Sequence, residues 1–97
     1  MTFSDLPVRV AANVAFQTVG KGIFLITPDN ALHEAKGPVA QELWTILSDE
    51  GPVRPSVLCH RIVEAFDVDD EVALADILQF IAHAKQLGLL EEVSPTA

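Results

Sequence analysis

The chain has a single cysteine and only six basic residues among its 97. With Cys59 as the lone thiol, no intrachain disulfide and no thiolate metal cluster can form. Six Lys and Arg against fourteen Asp and Glu leave a formal net charge of -8. Such a field repels a polyanion, so nucleic acid is not an expected ligand. No apolar run approaches the roughly 20 residues that span a bilayer. The opening Met-Thr-Phe-Ser-Asp-Leu-Pro lacks the basic and apolar regions of a signal peptide. A reducing, cytoplasmic setting without membrane contact is the expectation.

Reactive spacings are missing too. His33, His60 and His83 fall on different elements, and no H-x-x-x-H, H-E-x-x-H or C-x-x-C pattern occurs. Cys59 and His60 are adjacent on a helix and point about 100° apart, which does not make a nucleophile–base couple. No G-x-S-x-G, P-loop or G-x-G-x-x-G is present, and Gly20-Lys21-Gly22 reads as a hairpin turn. The acidic run Asp67, Asp69, Asp70, Glu71 lacks the glycine turn and later bidentate glutamate of a calcium loop. The expectation is therefore a non-catalytic chain with no cofactor and no metal.

What is present is one domain's worth of core, with 49% hydrophobic residues and no repeat or low-complexity segment. Residues 1–97 are read as a single domain with an ordered core of about 8–93. Val8 to Thr18 alternates: Val8, Val10, Ala12, Val14 and Phe16 on one face, Arg9, Asn13 and Gln17 on the other. That predicts one half-buried antiparallel strand. Ile23-Phe24-Leu25-Ile26 predicts a central strand covered on both faces. Pro28-Asp29-Asn30 is turn chemistry, and Ala31-Leu32-His33-Glu34 follows as a short, polar edge strand.

The period then changes. Val39, Ala40, Leu43, Trp44 and Leu47 form a helical stripe behind Pro38. A second helix starts near Pro55 with Leu58, Ile62 and Phe66 on one side, and a third runs from about Asp70 to Leu87 and stops at Gly88. Asp69 or Asp70 is the expected cap of the third helix, and Leu89–Val93 returns as a short extended tail. The predicted class is α+β: a winged-helix-like domain with a three-stranded antiparallel sheet followed by three helices.

Two features suit the binding of an extended peptide. An edge strand leaves backbone N–H and C=O groups unpaired, and a peptide can add to them as a further strand. On the third helix, Leu74, Ile77, Ile81 and Ala84 centre the core stripe, while Val72, Asp76, Phe80, His83 and Leu87 make a further column. Two readings stay open for that column: it completes the core, or it lines a groove.

The order of these pieces resembles the PqqD-like family, the leader-peptide recognition domains of ribosomal peptide natural-product pathways. The likeness runs from about Val8 to Val93. It rests on Phe24-Leu25-Ile26-Thr27-Pro28-Asp29, on Ala31-Leu32-His33-Glu34, and on Leu43-Trp44-Thr45-Ile46-Leu47 before an acidic-glycine turn. It closes with Asp76-Ile77-Leu78-Gln79-Phe80-Ile81 and Gly88-Leu89-Leu90. His33 stands where the family commonly has asparagine.

The resemblance implies a non-catalytic adaptor that binds the leader of a precursor peptide and presents it to a modifying enzyme: a radical SAM protein, a protease or a cyclase. The leader would lie beside Ala31, Leu32, His33 and Glu34, extending to Ala35, and against Val72, Ala73, Asp76, Phe80 and His83 of the third helix. Monomer and homodimer are both open. The alternative is a winged-helix transcription regulator, but the helices carry only His60, Arg61, His83 and Lys85, which form no basic stripe.

Overall fold

A computed structural model describes residues 5–20 and 22–93. The elements are β1 (Val8–Val10), β2 (Ala15–Val19), β3 (Gly22–Ile26), β4 (Leu32–Ala35), α1 (Pro38–Glu50), α2 (Pro55–Phe66), α3 (Asp70–Gln86) and β5 (Leu90–Glu92). The expected architecture is present: an antiparallel sheet ordered β2-β3-β4, followed by three helices. A second, two-stranded ribbon joins β1 to β5, with Val8 opposite Glu92 and Val10 opposite Leu90.

That ribbon corrects the first strand. Val8 to Thr18 is two strands, broken where Asn13 takes a φ of 70°. The left-handed region suits asparagine better than most residues. The Ala11 N–H donates to the Leu89 carbonyl at 2.9 Å, ending the pairing with the C-terminal segment, and the Val14 N–H turns back to Ala11 at 3.3 Å. The side-chain alternation runs through the break, so the pattern looked continuous. The expected tail is thus a paired strand.

Two burial expectations also fail. Every residue of β2 is exposed, and β3 is covered on one face. Ile23 and Leu25 are buried, whereas Phe24 is half-buried and Ile26 is 45% exposed. The helices pack against the first of those faces, and none covers the second.

The core joins Ile23, Leu25 and Ala35 of the sheet to Leu43, Trp44, Ile46 and Leu47 of α1, Leu58 and Ile62 of α2, and Ala73, Ile77, Ile81 and Ala84 of α3. Helix boundaries follow local chemistry. Pro38 and Pro55 sit in the first turns of α1 and α2, where a missing N–H is harmless. The start of α2 is capped from a distance: Asp5 accepts from the Ser56 N–H at 2.9 Å and from the Ser56 hydroxyl at 2.8 Å. The expected ordered core of about 8–93 is therefore extended at its start, since Asp5 is held against α2. The remainder of both ends lies outside the described residues.

Asp69 occupies the cap position of α3, but its side chain makes no cap bond. Asp70 and Glu71 in the first turn, with His83 and Lys85 in the last, complement the helix dipole. Gly88, at a φ of 77°, closes the helix, and the Leu89 N–H donates to the Ala84 carbonyl at 2.9 Å. This turn sends the chain into β5.

Candidate functional site

β4 is an edge strand. It pairs with β3 through Ile23–Ala35, Phe24–Glu34, Leu25–His33 and Ile26–Leu32, and among the described residues nothing pairs with its other side. The turn before it is held by Thr27, whose N–H donates to the Ala31 carbonyl at 3.1 Å. The Thr27 hydroxyl also donates to the Asp29 carboxylate, and this bond is the main reason Asp29 titrates below the ordinary carboxylate range. Asn30, at a φ of 66°, completes the bend.

Beside that edge lies a groove of about 520 Å³. Phe24 and Leu25 of β3, Leu32 to Ala35 of β4, and Lys36 form one side. Phe80, His83 and Ala84 of α3, with Leu87 and Leu89 beyond it, form the other. Ala40 and Trp44 of α1 lie between, and Trp44 is only 4% exposed. The Trp44 and Phe80 rings meet edge to face, centroids 5.5 Å apart and planes at 71°, an arrangement the ring quadrupoles favour. A shallower depression lined by Asp76, Gln79, Phe80 and His83 continues along α3.

The groove brings together Leu32, His33, Glu34, Phe80 and His83 from the sequence reading, and Ala35 joins them. Asp76 lies in the adjoining depression. Ala31 sits in the turn and does not line the groove. Val72 is 54% exposed in the first turn of α3, outside the lining residues. Ala73 is 3% exposed and packs in the core, so its side chain offers nothing to a ligand from outside. Of the expected core stripe, Ile77, Ile81 and Ala84 are buried; only at its start does the core take Ala73 in place of Leu74, which is half-buried. Sequence reasoning missed Phe24, Leu25, Lys36, Ala40, Trp44, Ala84 and Leu89 as groove residues. Trp44 carried a signal, since a lone tryptophan in an apolar stripe marks a large, shaped contact.

The chemistry on offer is backbone pairing and apolar contact. Among the described residues no group of three His, Cys, Asp or Glu side chains is placed to hold a metal. Cys59 is not among the residues lining the groove, and its thiol donates weakly to the Asp70 carbonyl at 3.6 Å. Burial, then the Asp70 charge, pushes its thiol above the ordinary range, which disfavours the nucleophilic thiolate. No helix of the described residues is long and apolar enough to cross a membrane.

The sequence profile of the family described as coenzyme PQQ synthesis protein D (PqqD) matches residues 37–90, more than half of the chain. The chain belongs to the PqqD family. The matched stretch holds α1, α2 and α3, and so one whole side of the groove and its base. No curated protein matches the chain. Among solved structures, TbiB1 in complex with the TbiA(beta) leader peptide is similar in fold, with a TM-score of 0.78 at 17% identity. The alignment covers 89% of this PqqD-family chain and 98% of TbiB1, so the likeness extends over the sheet as well as the helices.

Proposed function

We propose that this chain is a non-catalytic adaptor for a ribosomally made precursor peptide. The leader segment adds as a strand on the open side of β4, and its alternate side chains enter the groove against α3. The bound precursor is then presented to a modifying enzyme: a radical SAM protein, a protease or a cyclase. Main-chain hydrogen bonds supply affinity, and the apolar groove supplies selection. Residues 1–97 act as a single domain in this role. The relative TbiB1, with its leader peptide bound, supports the reading through a shared fold. The observation that carries it is that one unpaired strand edge and one aromatic-based groove share Leu32, His33 and Glu34.

A transcription regulator needs cations facing out from its helices. Here Arg61 pairs with Glu50 at 2.7 Å and Lys85 with Glu92 at 3.2 Å, which leaves no basic face on the helices for phosphate.

The test is selection of binders from a randomised peptide display library, followed by titration of a labelled winner. Phe80→Ala should weaken the winner about tenfold or more, as truncating a buried aromatic anchor does. Methylating alternate backbone nitrogens of the winner should abolish binding in one register and spare it in the other. A winner that tolerates methylation in both registers does not bind as a strand, and the adaptor reading would be lost. Circular dichroism of Phe80→Ala separates lost binding from lost fold.

A further inference from the structure

We infer that the groove selects a peptide bearing one carboxylate, held by Lys36, within an otherwise apolar extended segment; this rests on the adaptor reading above. The cations of the chain are few, and nearly all the described ones are engaged by the protein itself. Arg9 pairs with Glu91 at 2.6 Å, Arg61 with Glu50 at 2.7 Å and Lys85 with Glu92 at 3.2 Å. Arg54 donates to the Asp5 carbonyl at 2.9 Å. Among the described Lys and Arg residues, Lys36 is the one with no hydrogen bond or ion pair, and it lines the groove.

Its position gives the groove a polarity. Leu32, 65% exposed, stands at one end of β4, and Lys36 directly follows the other end. A strand laid along β4 therefore passes from an apolar side chain to an ammonium group. The same groove is lined by Phe24, Trp44, Phe80 and Leu87, which offer nothing to a second charge. The other titratable groups of the groove are His33, Glu34 and His83, with Asp76 in the adjoining depression. Glu34 and Asp76 repel a carboxylate wherever Lys36 does not offset them, which confines the acid to the Lys36 end. Lys36 is exposed, so the pair forms at the rim and acts on choice of partner more than on affinity. The net charge of -8 favours basic ligands in general. A local demand for an acid runs against that field, so the two are separable by experiment.

The experiment selects randomised display peptides on the full chain and, in parallel, on Lys36→Glu. Winners on the unmodified protein should share an Asp or Glu at one fixed position beside alternating apolar residues. On Lys36→Glu that position should lose its acid or change to Lys or Arg. In a synthetic winner, Glu→Gln should weaken binding about three- to fivefold, the worth of an exposed ion pair. The same change should make no difference on Lys36→Gln. Winners that need Phe80 but show no shared acid, or an acid whose loss costs as much on Lys36→Gln, overturn the inference and leave the adaptor reading standing. Absence of any winner that needs Phe80 overturns both.

Discussion

Thr27 shows how one hydroxyl can organise the approach to a binding edge. It is 5% exposed, at the end of β3, and its oxygen lies within reach of both the Asp29 carboxylate and, at 3.3 Å, the Ala31 carbonyl. A hydroxyl has one proton to give, and the carboxylate is the stronger acceptor. The bond holds Asp29 below the ordinary carboxylate range. A carboxyl whose folded value is depressed contributes stability above its unfolded value, and that contribution is lost as pH falls through the folded value. Thr27→Val should therefore raise the Asp29 titration midpoint, read by NMR of the carboxyl carbon. It should also lower stability at neutral pH while flattening the acid limb of the pH–stability curve. An unchanged Asp29 midpoint in the variant would show that the backbone, not the hydroxyl, sets it.

At the level of elements, the helices were legible because the chain punctuates them: Pro38 and Pro55 open α1 and α2, and Gly88 closes α3. The break between β1 and β2 was not, because Ala12 and Asn13 are neither glycine nor proline and period-two alternation runs straight across them. What breaks the strand is the backbone of Asn13, at a φ of 70° in a turn closed by the Val14 N–H on the Ala11 carbonyl, while the Ala11 N–H is held by Leu89, far away in sequence. Asn13→Ala should destabilise the fold by about 1 kcal/mol, because alanine keeps the Cβ but lacks the short polar side chain that lets asparagine adopt the left-handed region. Asn13→Gly should be neutral within a few tenths. Urea denaturation of the two variants checks this, and equal midpoints would mean that the turn imposes no left-handed residue. The groove divides the same way. Leu32, His33, Glu34, Phe80 and His83 were readable from strand edge and helix column. Ala40 was not, and Trp44 was marked as a large contact but not as a groove residue, because periodicity shows which face of α1 is apolar but not which neighbour that face meets. Ala73 was misplaced because it lies on the flank of the core stripe, where periodicity does not decide between core and groove, and the packing of the first turn of α3 buries it.

For the whole molecule the governing quantity is charge. The principal extents are 36 × 36 × 21 Å, and at about 10 mM salt the screening length is roughly 30 Å. At that ionic strength each of the fourteen acidic groups feels most of the others. Opposing them among the described residues are three ion pairs on the surface, Arg9–Glu91, Arg61–Glu50 and Lys85–Glu92, with a His60–Glu64 contact that becomes a fourth only when the imidazole is protonated. Pairs this exposed are worth about 0–1 kcal/mol each, and salt weakens them as it weakens the repulsion. The repulsion is the larger sum, because Asp67, Asp69, Asp70 and Glu71 crowd the α2–α3 junction and have no cation paired with them among the described residues. Raising NaCl from about 10 mM to about 300 mM, where screening acts within about 6 Å, should therefore raise the urea midpoint. The gain should shrink when Asp69 and Glu71 are changed to Asn and Gln, since those substitutions remove the repulsion that salt would screen. A midpoint that falls with salt would put the ion pairs ahead of the acidic field.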